Sequence, residues 1–140
     1  MRCTPGAALA AFGRAPARST AERGLVGEEL AARAARRSGL RLIGRRVPTR
    51  AAEVDLVALD GEGALVVLEV KAGLGIEGGG ARFRPRLHLR PSQLARLATA
   101  ARALARAHGC AAWRVDLVEV SLRPSGAHIT RLPLRRGGTG

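Results

Sequence analysis

Aromatic residues are nearly absent from this chain of 140 residues, which has no tyrosine, one tryptophan and two phenylalanines. Modules that bind nucleic acid by stacking bases, such as RRM and OB folds, present several exposed aromatic rings. The scarcity of aromatic side chains therefore argues against a base-stacking platform.

Cysteine and histidine are also scarce and scattered. The two cysteines, Cys3 and Cys110, have no CxxC spacing, and the histidines at positions 88, 108 and 128 do not cluster with them. This pattern argues against a disulfide framework or a zinc site, and it fits a reducing, cytoplasmic compartment. No apolar run approaches the length of a membrane span, so we expect no membrane association through a spanning helix.

Negative charge is limited to 11 acidic residues, against 24 basic ones, which gives a net charge of +13 and a pI near 11.8. An excess of this size indicates a polyanionic partner, either nucleic acid or an acidic membrane surface. Coding bias towards arginine is the alternative explanation, and composition alone does not separate the two. Since aromatic residues are scarce, contact with backbone phosphates is the expected mode of nucleic-acid binding.

A chain of this length is expected to form one domain with its own core. Residues 1–21 are rich in Ala, Arg, Pro and Gly, which predicts a flexible basic tail. An overlong start, a poor secretory signal and an organelle transit peptide are weaker interpretations. The domain is predicted over residues 22–132, with a Gly- and Arg-rich loop over 72–90, and residues 133–140 are predicted to be a second tail.

Hydrophobic periodicity and turn residues predict seven elements in the order α-β-β-β-α-β-β. Ser19 or Thr20 is expected to cap the first helix, and Pro91 is expected to begin the second. This order predicts an α/β fold in which a sheet is flanked by helices. The predicted segments are a helix to about Ser38, a strand Leu40–Val47, a hairpin Glu53–Lys71, a helix Pro91–His108, and strands Trp113–Ser121 and Ala127–Leu132.

The hairpin EVDLVALDGEGALVVLEVK, Glu53–Lys71, joins two apolar strands through a DGEG turn. A three-residue loop, Gly61–Gly63, would pair Asp55 with Glu69. A two-residue loop would instead place Asp55 opposite Leu68. Because side chains alternate between the faces of a strand, the three-residue loop would bring four charged residues to one face. These residues are Glu53, which is expected at the rim, Asp55, Glu69 and Lys71.

Two carboxylates directly opposite one another repel, unless a cation lies between them or one of them is protonated. Carboxylates together with water and phosphate oxygens suit Mg²⁺, and a metal there would polarise a phosphodiester and lower the pKa of a bound water. Lys71 is the only lysine in the chain, whereas the other 23 basic residues are arginine, which indicates that this position needs an amine. Its ammonium group would orient the attacking water or stabilise the charge that develops on phosphorus. The structural alternative is that these are solvated charges at the ends of strands.

The EVD segment, the apolar hairpin and the EVK segment resemble the PD-(D/E)xK signature of restriction-endonuclease-like nucleases. Over about residues 22–132 the chain resembles, more specifically, the YraN family of uncharacterised bacterial proteins. Five segments of the family's pattern occur here in order. They are the helix motif of Gly24, Gly27, Glu28 and Ala31, then AEVDLV, VLEVK, Ser92-Gln93 and WRVDLV.

This resemblance implies a three-layer core with a mixed sheet of about five strands and two long helices, like that of Holliday-junction resolvases. It implies that Asp55 and Glu69 are ligands of Mg²⁺ or Mn²⁺ and that Lys71 is the catalytic lysine. Glu28 and Gln93 would be accessory catalytic groups. Their structural alternatives are a carboxylate that interacts with the helix dipole and an ordinary polar residue of a first helical turn.

The function that follows is a Mg²⁺-dependent endonuclease that hydrolyses phosphodiesters of DNA, including branched or damaged DNA. A non-catalytic nucleic-acid-binding protein with the same fold is the alternative, and a structural partner of a DNA-processing or ribosomal assembly is a third. Because resolvase-like relatives act as dimers, the resemblance also implies a homodimer. The candidate phosphate contacts are Arg46, Arg50, Arg82, Arg84, Arg86 and Arg90.

The chain departs from the family's pattern at four positions outside the proposed metal ligands. Ala52 replaces a glycine before the EVD segment, and Arg46 replaces the usual asparagine. Ser92 replaces a lysine beside Gln93, and Gly73 replaces an arginine that often follows the EVK segment.

Overall fold

The computed structural model of the chain describes residues 19–74 and 89–140. Within these ranges the chain forms two helices and five strands in the predicted order. Neither helix combines the length and the apolar character that a membrane-spanning helix requires. The elements are α1 Thr20–Arg37, β1 Arg41–Pro48, β2 Glu53–Leu59, β3 Leu65–Leu74, α2 Pro91–Ala107, β4 Ala112–Arg123 and β5 Gly126–Gly138.

The five strands form one mixed sheet in the order β1-β2-β3-β4-β5. Only the β3–β4 pair is parallel, and α2 lies in the connection between these two strands. The other neighbouring pairs are antiparallel. The predicted α/β fold is confirmed, and this mixed sheet with two helices is consistent with a restriction-endonuclease-like core.

Two apolar cores, one on each face of the sheet, give the fold its three layers. Side chains that alternate along β2, β3 and β4 separate into the two cores, as the period of a strand requires. The core under α1 includes Leu30, Leu56, Leu68 and Val120. The core under α2 includes Val67, Leu97, Trp113 and Val115.

The caps of α1 follow from its terminal residues. Ser19 rather than Thr20 is the N-cap: its Oγ accepts a hydrogen bond from the Glu22 amide at 3.0 Å, and Glu22 Oε2 accepts one from the Ser19 amide at 3.1 Å. This reciprocal pair is a capping box, which satisfies two amides that the helix leaves unpaired. After the helix, Gly39 adopts a φ of +94°, which glycine tolerates best.

Close packing of α1 on β3 sets the position of the candidate site. A Cβ atom built at Gly27 would lie 2.5 Å from the Cβ of Ala72, so only glycine lets the helix approach the strand this closely. Glu28 follows Gly27 directly and is therefore held near the C-terminal end of β3.

Two predicted boundaries at the ends of strands are wrong. β5 continues to Gly138, so residues 133–138 belong to the sheet rather than to a tail. The extension pairs with β4 as far as Ala112, and Trp113 packs against Gly137 and donates its indole N–H to the Gly138 carbonyl at 3.2 Å. Similarly, β3 continues to Leu74, three residues into the predicted loop.

At the N-terminus, α1 begins at Thr20, two residues before the predicted domain boundary. Residues 75–88 of the predicted loop lie outside the described residues, as do residues 1–18 of the predicted N-terminal tail.

Candidate active site at the open end of the β2–β3 hairpin

A three-residue loop, Gly61–Gly63, closes the β2–β3 hairpin. The Asp60 amide donates to the Ala64 carbonyl at 3.0 Å, and Asp60 Oδ1 accepts hydrogen bonds from the Glu62 and Ala64 amides, both at 2.9 Å. Gly63 adopts a φ of +83°, the left-handed conformation that a loop of this length requires. The three-residue alternative of the sequence analysis is therefore confirmed.

The register set by this loop brings two carboxylates together at the open end of the hairpin. Leu56 pairs with Leu68, and the same register continued by one residue places Asp55 opposite Glu69. Asp55 Oδ2 also accepts a hydrogen bond from the Val70 amide at 2.8 Å. The Asp55 side chain is thus fixed against the backbone of β3.

Glu69 is a buried carboxyl group, with 6% of its surface exposed. Burial, the hydrogen bond with Asp55 and the negative charge of Asp55 together raise the pKa of Glu69 to about 8, although Lys71 acts in the opposite direction. Lys71 Nζ lies 3.6 Å from Glu69 Oε2. Glu69 therefore holds a proton more tightly than an exposed glutamate does, and its carboxyl group is hydrogen-bonded to Asp55.

Gln93 contacts Glu69 from α2. It lies in the first turn of α2, which begins at Pro91, and its side-chain amide donates a hydrogen bond to Glu69 Oε2. This contact orients the Glu69 carboxyl group. The structure therefore brings together Asp55, Glu69, Lys71 and Gln93, as the sequence indicates.

A cavity of about 440 Å³ opens beside this group, between the first half of α1 and the end of β3. Glu28, Asp55 and Lys71 all line it, so a ligand in the cavity would meet their two carboxylates and one ammonium group as well as the guanidinium group of Arg23. The remaining lining consists of Gly24, Val70 and Ala72–Leu74.

Glu28 is held by a guanidinium group of β1. Arg46 Nε lies 3.1 Å from Glu28 Oε1, and Arg46 Nη2 lies 3.2 Å from Glu28 Oε2, which is a bidentate pair. The hydrogen bonds and charge of Glu28, with smaller contributions from Glu53 and Asp55, raise the pKa of Arg46. Arg46 has a φ of +48°, which is uncommon for a residue other than glycine, asparagine or aspartate. Arg46, which is predicted to contact phosphate, is thus paired with Glu28 of the candidate site.

The other predicted phosphate contacts are dispersed. Arg50, in the connection between β1 and β2, is exposed, and so is Arg90, the N-cap residue of α2. Arg82, Arg84 and Arg86 lie outside the described residues.

Sequence reasoning missed one acid near the site. In the parallel β3–β4 register Lys71 pairs with Glu119, and burial raises the pKa of Glu119. The sequence carries no signal for this proximity, because the two residues are brought together across the α2 crossover and not by a turn of known length.

The described residues contain no group of three or more His, Cys, Asp or Glu side chains that could hold a metal ion. Asp55 and Glu69 nevertheless fit a divalent cation as a pair. They are carboxyl groups at facing positions of the hairpin, and burial together with Asp55 raises the pKa of Glu69, so a bound cation would offset the charge that these two groups place at one position. Mg²⁺ is commonly held by one or two carboxylates, with water and substrate phosphates as its other ligands.

Comparison with known proteins adds one finding to this geometry. A search of curated proteins gave no match. The sequence model of the uncharacterised protein family UPF0102 matches residues 27–120. This span runs from α1 into β4 and includes the whole β2–β3 hairpin. This is the YraN family that the motifs resemble. The chain therefore belongs to the uncharacterised protein family UPF0102.

Proposed function

We propose that this protein is a Mg²⁺-dependent endonuclease-like enzyme that hydrolyses phosphodiesters of DNA. The observation that supports this most strongly is the convergence of Asp55, Glu69 and Lys71 beside an open cavity. Two carboxyl groups suit a divalent metal ion, and an amine beside them suits the negative charge of a reacting phosphodiester; Lys71 is the only lysine of the chain.

Asp55 and Glu69 would hold Mg²⁺ or Mn²⁺. When bound, the metal ion supplies a Lewis acid that polarises the phosphodiester and acidifies a coordinated water. Gln93 keeps the Glu69 carboxyl group in one orientation, and the Val70 amide does the same for Asp55. Such positioning matters because small displacements of catalytic groups lower rates strongly.

Lys71 lies between Glu69 and the cavity and contributes its ammonium group to the reaction. A positive charge at this position stabilises the negative charge that develops on the phosphate oxygens in the transition state. Glu28 presents a carboxylate to the same cavity while Arg46 offsets its charge. Without that offset, Glu28 would raise the negative charge that an incoming phosphate meets.

DNA is the proposed substrate because of the charge of the chain and the resemblance of its site to resolvase-like nucleases. A net charge of +13 favours a polyanion, and the scarcity of aromatic residues favours phosphate contacts over base stacking. Branched or damaged DNA and a homodimeric enzyme follow from the same resemblance. Sedimentation of the purified protein would test the dimer.

The experiment is a cleavage assay on linear and branched DNA, with Mg²⁺ and with EDTA. It compares the wild type with Asp55→Ala, Lys71→Ala and a control, Glu62→Ala, in the exposed turn at the other end of the hairpin. We expect Mg²⁺-dependent cleavage by the wild type and the control, and a loss on the order of 100-fold or more in the two site variants. Equal cleavage by all four proteins, or by none, would refute the proposal.

A non-catalytic nucleic-acid-binding protein with the same fold is the second candidate. The bidentate Arg46–Glu28 pair favours it, because an acid so firmly paired is less available to a metal ion or a water. Binding of DNA that weakens steeply with salt, without cleavage under any of the conditions above, would identify this function.

A further inference from the structure

A second cavity, of about 620 Å³, lies against β4 and β5, towards the end of the sheet opposite Lys71. Four of its six lining residues are arginines, and no described acidic residue lines it. We propose that this arginine cavity binds a phosphate group of a nucleic-acid backbone. The proposal rests on the proposed nucleic-acid partner but does not depend on catalysis. The lining residues are Arg114, Arg131, Pro133, Leu134, Arg135 and Arg136.

Two of the arginines form a rigid base. Asp116, which is fully buried, accepts a hydrogen bond from Arg114 Nη2 at 2.6 Å, and its Oδ2 lies 3.3 Å from Arg131 Nε. Asp60 Oδ2 lies 3.4 Å from Arg114 Nη1. Because the carboxylates already fix these guanidinium groups, a ligand that binds them incurs little further loss of side-chain entropy.

The other two arginines leave the cavity with an excess of positive charge. In the β4–β5 register Arg136 lies directly opposite Arg114, whose own charge Asp60 and Asp116 offset. Arg135 and Arg136 are exposed, and neither forms an ion pair with a carboxylate in residues 19–74 or 89–140. An anion bound in the cavity would offset the charge of Arg135 and Arg136.

Phosphate suits these groups, because a guanidinium group binds its oxygens through two parallel hydrogen bonds and the net positive charge of the chain favours a polyanionic partner. A nucleic-acid backbone is the source that we propose for this phosphate, because it can extend from this cavity to the candidate active site. Arg114 pairs with Val66, which lies five residues before Lys71 in β3. Five residues of strand span about 17 Å, so the two sites are separated by about this length in the strand direction. A duplex of about 20 base pairs is longer than that.

The test compares the double variant Arg135→Gln/Arg136→Gln with Arg96→Gln/Arg102→Gln, which removes the same charge from exposed positions of α2. Affinity for a DNA duplex of about 20 base pairs is measured over a series of salt concentrations in EDTA, so that no cleavage occurs. We expect the first variant to bind about 10-fold or more weakly and to lower the salt slope by about 2, whereas the second leaves the slope nearly unchanged. Equal effects of the two variants would overturn the proposal.

A second experiment distinguishes a nucleic-acid backbone from a small phosphorylated molecule as the source of the phosphate. Inorganic phosphate is titrated while the arginine Nε–Hε resonances are followed by NMR. Phosphate-dependent shifts that are lost in Arg135→Gln/Arg136→Gln, together with weaker DNA binding, support the backbone site. The same shifts with unchanged DNA binding would mean that the cavity takes a small phosphorylated molecule, which overturns the nucleic-acid assignment.

The proposed nuclease activity and the proposed phosphate site can be refuted independently. If the wild type does not cleave DNA but the slope still depends on Arg135 and Arg136, the activity is refuted and the phosphate site stands.

Discussion

Replacing Glu69 with glutamine tests the electrostatics of the candidate site through protein stability. The pKa of Glu69 is about 8 in the folded protein, raised from 4.5 by burial and by Asp55. The folded state therefore binds this proton more tightly than the unfolded state does. The stability that protonation confers is full below pH 4.5 and is lost as the pH rises through 8.

The magnitude follows from the difference between the two pKa values. At about 1.4 kcal/mol per pKa unit, the shift corresponds to a loss of up to roughly 5 kcal/mol in the free energy of unfolding between acidic and alkaline pH. Glutamine has nearly the shape of the protonated acid and does not ionise. The Glu69→Gln protein should therefore resemble the wild type near pH 5 and be several kcal/mol more stable near pH 9.

The assay is urea denaturation of both proteins from about pH 5 to 9 in EDTA, so that no divalent cation contributes. Glu62→Gln removes a charge from the exposed turn and serves as the control. The reasoning about Glu69 would be refuted if the wild type and Glu69→Gln showed parallel stability curves across this range.

Three further changes have defined outcomes. Gly27→Ala should destabilise the protein by about 1–3 kcal/mol in thermal or urea denaturation, because the new methyl group would overlap Ala72. The control Gly24→Ala, which has open space around it, should stabilise α1 by up to about 1 kcal/mol. Changes in stability of the same sign in both variants would contradict the close packing of α1 on β3. Asp116→Asn should lower the free energy of unfolding by about 3–5 kcal/mol, since it leaves Arg131 buried beside a neutral amide. A loss below about 1 kcal/mol would show that the Asp116–Arg131 ion pair is not buried in solution. Lys71→Arg should lower the rate of Mg²⁺-dependent cleavage by about 10-fold or more, because a guanidinium group cannot occupy the position of a compact ammonium group; full activity would mean that the single lysine is an accident of composition.

Local chemistry explains why so much of the hairpin could be predicted from the sequence. The DGEG turn fixes a three-residue loop through the Asp60 side chain and the left-handed Gly63, and the loop in turn fixes the register. The contact between Asp55 and Glu69 then follows from counting residues. In the same way, Ser19 with Glu22 and the glycines after each helix mark the helix ends.

Features that depend on long-range packing could not be predicted. Residues 133–138, which extend β5, do not alternate between apolar and polar side chains. They lie on an edge strand, and its length is set by pairing with β4. Whether Asp116 is buried depends on Arg131, which reaches it only once β5 pairs with β4. Similarly, the Arg46–Glu28 pair forms between a strand and a helix 18 residues apart in the chain.

The most direct test of the central claim is whether Asp55 and Glu69 hold a divalent cation. Mn²⁺ binding can be followed by the loss of the EPR signal of the free ion, in the wild type, in Asp55→Asn and in the control Glu62→Gln. We expect one Mn²⁺ ion to bind to the wild type and to the control, with competition by Mg²⁺, and binding to be abolished in Asp55→Asn. Equal binding by all three proteins, or no binding by the wild type, would contradict the assignment of this pair as the metal site.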